Sequence, residues 1–97
     1  ALAMDAEMPL ALNTLGVVYA RAGKADQAIE MWRQAVALDP RLYDALFNLA
    51  VVSGQNQRWD VAREALQQFI RTAPPQRYAR ELASARRMLQ EVERRLS

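Results

Sequence analysis

Few residues in this chain could act on a substrate, and their spacing limits what they could do. Gly16 and the run Gly23-Lys24-Ala25 come nearest to a phosphate-binding loop, in which backbone N–H groups and a lysine cradle phosphates beside a hydroxyl residue. Here six residues separate the glycines instead of the four of such loops. Ala25 also takes the hydroxyl position, and the segment between the glycines reads as helix. Asp26 and Glu30 share one helix face, but exposed carboxylates without a pocket are ordinary surface, not an acid–base pair. There is no His and no Cys among the 97 residues. That removes imidazole bases, thiol nucleophiles, Cys/His zinc sites and disulfides together. The expectation is a chain that is not an enzyme, with no cofactor, no metal and no small-molecule substrate.

If the chain does no chemistry, its elements must serve contact. Apolar residues make up 52% of it and charged residues 25%, with three Gly and four Pro, which excludes disorder and supplies little turn chemistry for a sheet. The net charge of +2 is too small to point to nucleic acid, but it is unevenly placed. Residues 1–75 carry seven basic and eight acidic side chains, whereas residues 76–97 carry six Arg and three Glu. No apolar run approaches a membrane span, and the first residues lack the charged and apolar regions of a signal peptide, so a soluble chain without membrane insertion is expected.

Shifting the sequence by 34 residues aligns 9–42 with 43–76 without a gap. Ten positions are identical, from Ala11/Ala45 and Leu12/Leu46 to Gln34/Gln68 and Pro40/Pro74. Each unit reads as two helices. Leu12, Leu15, Gly16 and Tyr19 form the apolar stripe of the first, over 9–22. Ala28, Ile29, Trp32, Ala35 and Val36 form that of the second, over 25–38. Gly23 suits the left-handed residue that ends a helix, and the residue before Pro40 disfavours helical angles. The second unit repeats the plan over 42–56 and 59–72, with Gln57 where the first has Gly23. Residues 1–8 align with 35–42 and are expected to be the end of a preceding repeat. Residues 77–97 carry one narrow stripe, from Tyr78 through Leu82, Ala85, Leu89 and Val92 to Leu96, and read as a capping helix. Leu89, Val92 and Leu96 are expected to project beyond the second unit.

The chain thus resembles the tetratricopeptide repeat family. Leu12, Leu15-Gly16, Tyr19, Gly23, Ala28, Trp32, Ala35 and Pro40 fall on the family pattern, as do Leu46, Leu49-Ala50, Ala62, Leu66 and Pro74. Ser53, Gln57 and Phe69 depart from it. The resemblance implies one all-α domain, a right-handed superhelical stack of helix-turn-helix units, 9–42 and 43–76, closed by the cap. It also implies a concave groove lined by the first helices, where a protein or peptide partner binds. Groove-facing offsets fall on Leu10, Asn13, Val17 and Arg21 in the first unit, and on Asp44, Phe47, Val51 and Gln55 in the second. With the register slipped by one, they fall on Arg77, Arg80, Ser84 and Arg87 in the cap. An apolar strip with an Arg rim suits a peptide with hydrophobic and acidic side chains. The offsets at which some relatives clamp a terminal carboxylate hold one Asn and one Arg, too few for that clamp.

Two other readings stand beside the groove. The chain could be a structural module forming a homodimer through the capping helix or through an uncovered face of its first helix. Arg80, Arg87 and Arg94, seven residues apart, could follow phosphates, but helices of mixed charge are usually solvated faces, so nucleic acid ranks last.

Overall fold

The computed structural model describes residues 2–97, with side chains from Glu7 onward; Ala1 lies outside the described residues. Five helices follow one another: α1 Leu2–Arg21, α2 Ala25–Leu38, α3 Tyr43–Gln55, α4 Trp59–Thr72 and α5 Pro75–Leu96. There is no strand among the described residues. Each helix packs on the next in the chain, and α5 also touches α3. The result is a slab 43 × 32 × 19 Å, two helix layers thick, whose core lies between the layers.

The helix pairs close by the same turn in both units. Gly23 takes φ +78°, its N–H bonds to the Ala20 carbonyl at 3.1 Å, and the Lys24 N–H bonds to that of Tyr19 at 2.9 Å. This pair of bonds is the Schellman ending, which satisfies the last free carbonyls of a helix. Gln57 does the same at φ +63°, with its N–H on the Gly54 carbonyl at 3.2 Å and the Arg58 N–H on that of Ser53 at 2.8 Å. A side chain in this conformation is strained by roughly 1 kcal/mol. Gln57→Gly is therefore expected to stabilise the fold by about 1 kcal/mol, raising the melting temperature by about 4–8 °C in circular dichroism. A lower melting temperature would show that the Gln57 side chain holds the turn.

The start of the first unit needs correcting. A helix beginning at Pro9 was the expectation, but α1 runs unbroken from Leu2 through it. Proline's fixed φ fits a helix, and the missing N–H removes one bond to the preceding turn. The ring itself is buried. Residues 2–8 therefore continue α1 and do not form a separate helix end.

Within the first unit, α1 and α2 pack tightly at Gly16. The Trp32 indole, 2% exposed, lies against it, so that a Cβ on Gly16 would fall 2.4 Å from Nε1. The second unit places Ala50 and Leu66 at the equivalent positions, both buried. Ser53, which replaces Tyr19, is fully buried and its hydroxyl has no partner. The third departure from the pattern has a clear structural role. Phe69 is completely buried and joins three helices: its ring lies 5.2 Å from Phe47 of α3 and 5.7 Å from Tyr78 of α5, and Tyr43 meets Tyr78 edge-on at 5.5 Å.

This aromatic cluster seats the start of α5, and α4 covers its continuation. Val92 is 3% exposed and Leu89 is half-buried against the core. The expected projection of the stripe's end is thus wrong for those two residues. α5 runs alongside α4 for most of its length, leaving Leu96 as the exposed apolar residue at its end.

Candidate functional site

The first helices of the units lie side by side and are joined by polar contacts that repeat along the stack. The Asn13 side-chain oxygen accepts from Trp32 Nε1 at 2.9 Å and from Asn48 Nδ2 at 3.4 Å, tying α1 to α2 and α3. One unit further on, the Tyr78 hydroxyl donates to Asp44 Oδ1 at 3.2 Å, tying α5 to α3. Burial pushes the Tyr78 phenol above its ordinary value, and the negative Asp44 beside it adds to the effect. The hydroxyl therefore stays protonated and donates throughout the neutral range. Asn13 and Asp44, both placed at groove offsets by the sequence, are thus engaged in holding first helices together.

The other offsets divide by environment. Leu10 is 56% exposed, Val17 is half-buried against the core, and Arg21 is exposed. Phe47 is half-buried with one face on Phe69. Val51 and Gln55 border an apolar cleft of about 250 Å³ between α3, α4 and α5. Its walls are Ala50, Val51 and Gly54 of α3, Trp59 and Leu66 of α4, and Met88 and Val92 of α5, with Gln55 and Glu91 as its polar members. A Cβ on Gly54 would meet nothing, so that wall is open. On α5, Arg77 lies over the Tyr78 ring at 5.6 Å, Ser84 accepts from Arg87 at 3.4 Å, and Arg80 is exposed.

Trp59, Gly54, Met88 and Glu91 were not among the expected site residues. Trp59 is only partly buried, and Arg95 stands 5.4 Å from its ring centre. Helical spacing offers a signal for Met88 and Glu91, which lie one turn on from Ser84 and Arg87. The phosphate-following row of arginines is interrupted. Arg94 pairs with Glu91, and Arg95 Nε bonds the same carboxylate at 2.9 Å. The Arg95 bond, aided by the charge of Arg94, holds the Glu91 carboxyl below its ordinary value. Arg80 and Arg87 pair with no carboxylate among the described residues.

A second hollow, of about 430 Å³, lies between α2 and α4 with Arg33, Asp60, Glu64 and Gln68 over Val36 and Leu49. Among the described residues no cluster of acidic side chains is placed to hold a metal ion, and no helix is long and apolar enough to cross a membrane.

Photosystem I assembly protein Ycf3 of Rippkaea orientalis is 34% identical over 77 residues, an overlap of 65% of this chain and 44% of that protein. The chain thus spans less than half the length of that relative. The tetratricopeptide repeat family matches residues 13–77, which take in the second half of α1, all of α2, α3 and α4, and the start of α5. By that match and by its paired helices, the chain belongs to the tetratricopeptide repeat family.

Proposed function

We propose that the chain is a protein-binding scaffold that holds an extended peptide or partner helix along its first helices and does no chemistry of its own. The observation that carries this reading is the apolar cleft between α3, α4 and α5. Structure alone gives no reason for Val51, Met88 and Trp59 to stay partly open there. A cleft of this size accepts one hydrophobic side chain and leaves the rest of a ligand on the surface. Arg80 and Arg87 on α5 favour acidic residues flanking that anchor. The name of the relative, an assembly protein for photosystem I, agrees with a chain that works by holding proteins.

Trp59 supplies the readout, because a side chain entering the cleft changes the surroundings of its indole. A library of peptides with one large apolar residue among acidic ones is titrated while tryptophan fluorescence is followed. Val51→Asp and Gly54→Leu, one charging the wall and the other filling the cleft, are each expected to weaken binding at least about tenfold, or about 1.4 kcal/mol, with helicity unchanged. Ligands that bind both variants as well as the parent chain would rule the cleft out as the anchor. The alternative, a purely structural self-associating module, predicts that no peptide binds at all.

A further inference from the structure

The outer face of α1 offers a different surface, independent of the groove. Met8, Ala11, Leu15, Val18 and Ala22 step by three and four residues and form one apolar stripe. All five are exposed, Met8 by 49%, Leu15 by 44% and Val18 by 56%. The same face of α3, made of Leu42, Ala45, Leu49 and Val52, is buried or half-buried, with α2 packed on that helix. The stripe on α1 is therefore a surface of the kind that a helix covers elsewhere in the same molecule, and here it stands open.

Its flank says which helix fits. Glu7, Thr14 and Arg21 lie seven residues apart beside the stripe, and all are exposed. We infer that the occupant is α1 of a second copy of this chain, packed antiparallel about a two-fold axis near Thr14 and Leu15. Such an axis brings each flank against its own copy in reverse order. Glu7 then meets Arg21 of the partner subunit, Arg21 meets Glu7 of the partner subunit, and the two Thr14 residues meet at the centre. The Thr14 hydroxyl already donates to the Leu10 carbonyl at 3.1 Å, so it needs no donor's partner across the axis. Along the stripe, sizes alternate as close packing requires. Met8 lies over Ala22 of the partner subunit, Ala11 meets Val18 of the partner subunit, and Leu15 packs on its own copy. Contact along a single helix face places the dimer at the small, weak end of stable interfaces.

Sedimentation of the full chain at about 100 µM, a concentration suited to so small an interface, is expected to show the mass of two chains. Leu15→Asp, at an exposed position, is expected to give the one-chain mass with unchanged helicity. Glu7→Arg and Arg21→Glu are each expected to weaken the dimer about tenfold, since each sets two like-charge pairs against each other. Mixing these two variants is expected to restore it, because the mixed pair regains both attractions. A one-chain mass at every concentration would overturn the inference, as would a dimer that survives Leu15→Asp. Failure of the charge-reversed variants to recover on mixing would overturn it too. A one-chain species that instead binds a synthetic peptide of residues 25–38 would assign the stripe to a helix of the α2 kind.

Discussion

Phe69→Ala is expected to remove about 3–5 kcal/mol of stability, the usual loss when a fully buried aromatic ring is truncated. The site has little freedom to collapse. Phe69 is 0% exposed and its ring contacts Phe47 on one helix and Tyr78 on another, so the cavity would open between three helices at once. Edge-to-face contacts of this kind add about 0.5–1.5 kcal/mol beyond burial, and Tyr78 would lose its ring partner as well as its seat. Against a total stability of about 5–15 kcal/mol, the loss leaves the chain marginal at room temperature. The measurement is urea unfolding followed by circular dichroism. Native-state hydrogen exchange should place the largest loss of protection in α5, because the aromatic cluster fixes its first turns. Phe69→Leu, which keeps most of the volume, should lose much less. A loss under about 1 kcal/mol for Phe69→Ala would mean that the α5 stripe holds the cap without the cluster.

The same residue shows what the sequence could and could not disclose. At the 34-residue offset Phe69 falls on Ala35, so by repeat logic a small side chain belongs there. The repeat describes how two like units stack, whereas Phe69 faces a cap that is a single helix in a different register. Its size answers to α5, which no comparison between the two units contains. Elsewhere the repeat was enough. The spans of α2 and α4 were readable to the residue from apolar spacing, Gly23 and the prolines. The turn at Gln57 was readable as a position but not as a left-handed residue, because the glycine that signals such a turn is absent and the hydrogen bonds of Ser53 and Gly54 impose it. Pro9 misled in the opposite sense, since the rule that proline opens a helix is a preference and the buried ring is accommodated inside one. The site was half legible. Val51 and Gln55 follow from the repeat, but Met88 and Glu91 line the cleft only because α5 packs on α3 and α4, which is a tertiary fact, and Trp59 lines it from the start of α4.

Gly16→Ala is expected to destabilise the fold by about 2 kcal/mol, and a second substitution should recover much of that loss. In an unconstrained helix the change would gain about 1 kcal/mol from propensity. Here the new Cβ would stand 2.4 Å from Trp32 Nε1 and 2.5 Å from Cε2, distances no packed methyl adopts. Either the indole moves or α1 and α2 part, and overpacking of this kind costs about 1–3 kcal/mol. Movement of the indole also breaks its bond to Asn13, and with it the link that carries on to Asn48, for a further loss of about 1 kcal/mol. The second unit shows the compatible partner, since Ala50 there is accompanied by Leu66 and both are buried at 1% exposure. Trp32→Leu alone leaves a cavity beside Gly16 and should lose about 3 kcal/mol. Gly16→Ala with Trp32→Leu installs the pair that the second unit already uses, so the added methyl fills part of that cavity. The double variant should therefore be more stable than the sum of the single losses predicts by at least about 1 kcal/mol, which chemical denaturation of the four chains resolves as a double-mutant cycle. Additivity within about 0.5 kcal/mol would show that the helices separate freely at this point. Glycine would then be there for backbone reasons, and the tryptophan would owe its burial to contacts other than the one with Gly16.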